Sequence, residues 1–192
     1  MKLTIPTWLT LLRIVLIPVL VAVFYMPSQW TNFASAFVFI LAAVTDWLDG
    51  WIARRFHQYS AFGAFLDPVA DKLMVAVALF LIVQGHPTPW MAFWAAVIVG
   101  REIAVSALRE WMAELGQRAT VRVALIGKFK TVMQIVAIVV LLHQRDFPEL
   151  RYYRIGESLL VVAAILTIWS ALVYLRAAWP LLNASRQGGS GD

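Results

Sequence analysis

Six apolar runs, each close to twenty residues long, divide this sequence, near residues 7–26, 32–55, 66–84, 90–114, 123–143 and 156–178. A run of about 20 mostly apolar residues is what an α-helix needs to cross the hydrocarbon core of a bilayer. In that medium each backbone N–H and C=O must find its partner inside the protein, which makes helices the form such runs take. The breaks have turn composition. Pro27-Ser28-Gln29 separates the first two runs, residues 57–62 the next pair, and Gln84-Gly85-His86-Pro87-Thr88-Pro89 the third and fourth; residues 115–122 and 143–154 supply the rest. No repeat of fixed period is visible. The pattern predicts an all-α polytopic membrane protein with six transmembrane helices, forming a single domain over residues 1–182. Residues 183–192 are polar and Gly-rich and read as a disordered tail; Gly188-Gly189-Ser190-Gly191-Asp192 has the composition of an appended linker.

Composition supports this. The chain is 61% hydrophobic and 14% charged, where a soluble domain has roughly 45–50% and about 25%. Its 192 residues contain no cysteine, which excludes disulfides and thiolate metal sites. Any metal must be held by oxygen or imidazole. The net charge is +5. The charges sit at the ends of apolar runs, so anionic lipid or a phosphorylated ligand fits better than nucleic acid. Residues Val23-Phe24-Tyr25-Met26-Pro27 offer no small-residue cleavage site, so the first run is expected to stay as a membrane helix. With the N-terminus cytoplasmic, Lys2, Arg54, Arg55, Arg118 and Arg122 fall on the cytoplasmic side. The first two outer loops then carry no Lys or Arg. The third carries Arg145, Arg151 and Arg154, which weakens the asymmetry without reversing it. Both termini are expected to be cytoplasmic.

The first 45 residues hold no acidic side chain; four aspartates then arrive between positions 46 and 71. They read Asp46-x-x-Asp49-Gly50-x-x-Ala53-Arg54, eight further residues, then Gly63-x-x-x-Asp67-x-x-x-Asp71. Asp46 and Asp49 share a helix face, and so do Asp67 and Asp71. The first pair lies near the end of the second helix and the second pair near the start of the third. A short loop joins those helices, so they are expected to be antiparallel neighbours whose carboxylates converge just inside the cytoplasmic interface. An aspartate in a membrane helix costs roughly 2.5–3.5 kcal/mol on insertion scales, and four together repel. Cations relieve this, and oxygen donors without His or Cys favour Mg²⁺, Mn²⁺ or Ca²⁺ over Zn²⁺. Two such ions about 3.5–4 Å apart form a known clamp for in-line displacement at phosphorus. Asp67 and Asp71 could instead favour the N-terminal dipole of their helix. Asp46 and Asp49 could not, since they lie near a C-terminus. Gly50 and Gly63 let a nucleotide approach the backbone, and Ala53 leaves room beside them. Close helix packing in lipid explains Gly50 and Ala53 equally well.

Over Asp46 to Asp71 the chain matches every fixed position of the CDP-alcohol phosphotransferase signature, and it resembles that family from residue 5 to about 178. Supporting stretches include Ile5-Pro6-Thr7, Thr45-Asp46-Trp47, Phe62 to Lys72, Arg101-Glu102-Ile103, Ser106 to Gly116 and Ile126-Gly127-Lys128. The likeness is to bacterial members that transfer the phosphatidyl group from CDP-diacylglycerol to sn-glycerol 3-phosphate. It implies two Mg²⁺ or Mn²⁺ ions held by Asp46, Asp49, Asp67 and Asp71, with Asp71 also the general base on the acceptor hydroxyl. It places Asp49, Gly50, Ala53, Arg54 and Gly63 at the nucleotide. It also implies a bacterial cytoplasmic (inner) membrane location and a homodimer.

A phosphorylated acceptor needs fixed positive charge. Arg101, Arg109, Lys128 and Lys130 are the candidates. Arg101 and Arg109 are two helical turns apart on one face of the fourth helix. A buried Arg there is costly, and its fork suits phosphate. The competing roles are pairing with Glu102 or Glu110, or snorkelling. Lys72 can balance the acidic cluster. Arg13, two turns into the first helix, can meet a diphosphate or anionic head group, or form a structural ion pair. His57, His86 and His143 fall at loops or helix ends and carry no functional reading. The nine tryptophans read as interface anchors. Three rivals stand beside this reading, of which a structural membrane scaffold leaves the acid cluster unexplained. Another is a different acceptor, such as inositol phosphate or serine. The last is a divalent-cation transporter, disfavoured because transport sites lie near the midplane on broken helices.

Overall fold

The computed structural model describes residues 4–56, 60–114, 124–143 and 151–187. Among them are six α-helices and no strand: α1 (Ile5–Phe24), α2 (Thr31–Phe56), α3 (Ala61–Gly85), α4 (Pro89–Glu114), α5 (Ala124–His143) and α6 (Arg151–Gln187). Four stretches are long and apolar enough to cross a membrane: Ile5–Phe24, Thr31–Phe56, Pro89–Met112 and Tyr152–Val173. Lys130–His143 is a shorter apolar helix. Large apolar side chains also cover the outside, among them Phe37, Trp51, Phe80, Phe93 and Trp169. Helices apolar on all sides belong in lipid. The chain is a helical membrane protein.

Local chemistry sets the helix ends. Thr4 and Pro6 open α1, where a proline fits because the first-turn N–H groups have no intrahelical partner. Thr31 Oγ1 donates toward the Met26 and Ser28 carbonyls, each at 2.7 Å, and fixes the turn into α2. Ser60 caps α3 by accepting the Gly63 N–H at 2.9 Å. Thr88 accepts the Met91 N–H at 3.2 Å, just ahead of Pro89. Two boundaries differ from those the sequence suggests. α3 starts at Ala61 rather than near 66, and α6 spans Arg151–Gln187 rather than 156–178. Residues 183–187, expected in a disordered tail, therefore lie in α6, while 188–192 lie outside the described residues. The physical reason is general. An apolar run marks the part of a helix suited to hydrocarbon, whereas the hydrogen-bonded helix runs on into polar sequence.

The packing places α1 at the centre of the site's geometry. α1 packs closely on α2 and also on α3, while α2 and α3 touch each other least of all the packed pairs. The expected α2–α3 neighbours are in contact, and α1 packs more extensively on each of them than they do on each other. α5 packs on α6 and α2, and α4 on α6 and α3. Small side chains let the helices approach: Ala42, Ala78, Ala95, Ala137, Ala163 and Ala164 are buried among Leu20, Phe39, Leu79, Ile98, Ile138 and Leu160. At α5–α6, a Cβ on Gly156 would stand 3.0 Å from Leu141 Cγ.

Candidate active site

α1 brings one cation to the acidic cluster. Arg13 is among the most buried side chains in the protein, at 1% exposure. Its Nη1 lies 2.9 Å from Asp46 Oδ1 and also donates to Asp71 Oδ1, while Nη2 donates to Asp49 Oδ2. The fourth aspartate, Asp67, receives Thr10 from the same helix. Thr10 Oγ1 also lies 3.0 Å from the Pro6 carbonyl, so one hydroxyl proton serves two acceptors. Arg13 and Thr10 are three apart on one face of α1, which is why both reach the cluster. The carboxylates are unequal. Asp49 is buried at 5% side-chain exposure, whereas Asp46 and Asp71 stand at 48% and 45%.

Gly63 is fixed by the same helix–helix contact. Thr7 Oγ1 and Ser60 Oγ are 2.7 Å apart, joining α1 to the first turn of α3. A Cβ on Gly63 would stand 2.9 Å from Ser60 Oγ and 3.0 Å from Thr7 Oγ1. An alanine must therefore push Ser60 off its cap, a loss of about 1 kcal/mol. We expect Gly63→Ala to lower the unfolding midpoint in detergent, and the added Ser60→Ala change to cost little more; an unchanged midpoint in Gly63→Ala would show that the contact is slack.

Beside the cluster lies a cavity of about 500 Å³. Asp46, Asp67 and Asp71 line it from α2 and α3, and Lys72, Arg101 and Lys130 line it from α3, α4 and α5. Arg101 is held from α6: its Nε donates to the Thr167 carbonyl at 3.1 Å and its Nη2 to Ser170 Oγ. The suggested pairing of Arg101 with Glu102 is not what holds it. Glu102 turns to α5, 3.9 Å from Lys130 Nζ and 3.3 Å from Gln134 Nε2. Neighbouring residues on a helix do not face each other, so the acid finds its cation on the next helix. Glu110 is exposed.

Some expected site residues fall outside the lining of this cavity. Asp49, Gly50, Ala53, Arg54 and Gly63 do not line this cavity. Asp49 sits on Arg13. Arg54 lies over Gly50, its Nη1 3.2 Å from where a Cβ would be. Arg109 and Lys128 belong to α4 and α5, but their side chains fall outside the described residues, as does His57. His86 stands edge-on to Tyr153 and His143 edge-on to Phe33, away from the cavity lining. Thr10, Gln134, Thr167 and Ser170 join the site only through the fold. Buried hydroxyls and amides in membrane helices were the available signal, but many such residues merely bond their own helix.

The donor set can be tested against a divalent ion. Four carboxylates and a threonine hydroxyl are hard oxygen donors suited to Mg²⁺ or Mn²⁺. As arranged here, three of them converge on Arg13. No group of three or more His, Cys, Asp or Glu among the described residues is placed to hold an ion. The chemistry of the donors fits a divalent ion, and the Arg13 guanidinium is a second way of balancing the same charge.

Comparison with known proteins follows the same line. Residues 3–169 match the CDP-alcohol phosphatidyltransferase family. The chain is 52% identical over 178 residues to the CDP-diacylglycerol–glycerol-3-phosphate 3-phosphatidyltransferase of Escherichia coli (strain K12), covering 93% of this chain and 96% of that protein. The enzyme of the same name from Sodalis glossinidius is 53% identical with the same coverage.

Proposed function

The chain belongs to the CDP-alcohol phosphatidyltransferase family, and we propose that it transfers the phosphatidyl group of CDP-diacylglycerol to sn-glycerol 3-phosphate, giving phosphatidylglycerol phosphate and CMP. The observation that carries this reading is a single cavity bearing both the signature carboxylates Asp46, Asp67 and Asp71 and the cations Lys72, Arg101 and Lys130. A phosphate-linked donor and a phosphorylated acceptor each need one of these. The names borne by the similar proteins support the same reaction.

The four aspartates would hold two Mg²⁺ or Mn²⁺ ions, which would supply positive charge at the transferring phosphate. Asp71 takes the proton of the acceptor hydroxyl as that oxygen attacks the lipid-side phosphorus and CMP leaves. Arg101, with its guanidinium set by Thr167 and Ser170, and Lys130 bind the acceptor phosphate; Arg109 and Lys128 contribute to the same subsite. Gly50, Ala53, Arg54 and Gly63 border the nucleotide. We place all six helices in a bacterial cytoplasmic (inner) membrane with both termini cytoplasmic, so that the acidic cluster lies near the interface where soluble glycerol phosphate arrives. The active form is a homodimer.

The test is an acceptor panel with purified protein in detergent. CMP release from CDP-diacylglycerol is expected only with sn-glycerol 3-phosphate and Mg²⁺ or Mn²⁺ together. Equal release with inositol phosphate or serine would sink the acceptor assignment.

A further inference from the structure

Glu102 is an acid that the reaction above does not use, in a place where an acid is out of keeping. It shares the cavity with Arg101 and Lys130, and a carboxylate there opposes any phosphate those cations attract. Its surroundings suggest what offsets this. Both contacts to Glu102 from α5 fall on one oxygen, Oε1: Lys130 Nζ at 3.9 Å and Gln134 Nε2 at 3.3 Å. Oε2 takes part in neither. Gln134 turns its amide N–H₂ to Glu102, and its own Oε1 is buried without a partner among the described residues. Gln134 is itself 4% exposed and lines the cavity. The Glu102–Gln134 pair therefore carries two acceptor oxygens that these contacts leave without donors. Buried polar groups are as a rule satisfied, and a carboxylate can only accept. These contacts leave Glu102 Oε2 and Gln134 Oε1 facing this end of the cavity, and a ligand that brings donors completes it.

We propose that Glu102 is a specificity-determining residue that accepts a hydrogen bond from a non-reacting hydroxyl of the acceptor. The proposal rests on the acceptor reading above. The ligand class is a small phosphomonoester with one hydroxyl that attacks and a second that does not. Arg101 and Lys130 take its phosphate, and Glu102 Oε2 takes its second hydroxyl. Gln134 and Lys130 hold the carboxylate in place through Oε1. A carboxylate here then serves selection: a phosphate without the hydroxyl meets an unpaired charge and is rejected.

The experiment compares two acceptors that differ by one group. sn-Glycerol 3-phosphate carries both hydroxyls, and 3-hydroxypropyl phosphate keeps the phosphate and the terminal hydroxyl but lacks the middle one. Wild-type protein is expected to favour the first by about 10²-fold or more in kcat/KM, as sites built to bind a substrate hydroxyl do. Glu102→Gln keeps a neutral acceptor and should cut that preference to about tenfold, since charge-assisted bonds are roughly twice as strong. Glu102→Met removes the acceptor and should bring the ratio close to one. Gel-filtration profile and thermal shift with CDP-diacylglycerol establish folding, and if Glu102→Met does not fold the Glu102→Gln ratio decides. Loss of kcat/KM by a common factor for both acceptors would overturn the proposal, leaving Glu102 as a support for Lys130. So would a wild-type enzyme indifferent to the missing hydroxyl. Absence of CMP release with sn-glycerol 3-phosphate in the wild type is a different result: it overturns the proposed function itself and this inference with it.

Discussion

Arg13→Ala is expected to destabilise the protein by about 3 kcal/mol when divalent ions are chelated. Removing one partner of a buried ion pair commonly costs about 3–5 kcal/mol, because the remaining charge is left without compensation. Here three carboxylates lose their shared cation. The low end of the range applies, since Asp46 and Asp71 are about half exposed and water screens them. Asp49 is the one that cannot be rescued by solvent. The loss should also loosen α1 from α2 and α3, whose mutual contact is slight. The measurement is thermal unfolding in detergent, in EDTA and in Mg²⁺. The deficit should shrink in Mg²⁺, because the ion brings charge to the same four oxygen donors. Arg13→Lys keeps a charge but not the fork that reaches three acceptors at once, and should fall between the two. If Arg13→Ala unfolds with the wild type in EDTA, the ion pairs contribute nothing net.

Arg13 also shows where the sequence stops being informative. A lone arginine inside an apolar run marks itself as functional or paired, because its burial is costly. Its partners do not announce themselves. They lie 33, 36 and 58 positions away by number, on two other helices. Local periodicity places Asp46 with Asp49 and Asp67 with Asp71, and α2 and α3 do carry them in helical register. What it cannot supply is the third body. The loop between α2 and α3 argues for their contact, and only packing reveals that α1 lies against both. The cationic side of the cavity repeats the lesson. Arg101 and Lys130 stand out in the sequence as cations on apolar helices, but Ser170 and Thr167, which fix Arg101, are ordinary small polar residues on an apolar helix. Glu102 looked like a partner for its neighbour, yet helical geometry turns it away toward α5. Helix ends behaved alike: Ser60 starts α3 well ahead of its apolar run, because a cap depends on one hydroxyl rather than on hydropathy.

Asp71→Asn is expected to lower kcat by about 10²–10⁴-fold, the usual contribution of a positioned base, while CDP-diacylglycerol binding weakens far less. Asparagine keeps the shape and one acceptor oxygen for Arg13 Nη1, so the geometry of the cluster should survive. It cannot take a proton. Asp46→Asn should behave differently. That side chain is proposed to hold metal rather than to move a proton, so its loss should weaken metal-dependent binding of the donor along with turnover. Isothermal or fluorescence binding of CDP-diacylglycerol, set beside CMP release in saturating sn-glycerol 3-phosphate, separates the two. A profile in which Asp71→Asn loses binding and turnover by equal factors would leave Asp71 a metal ligand only. Retained turnover would remove it from the base role altogether, and the next group to examine would be Asp67, which shares its helix face and the same cavity.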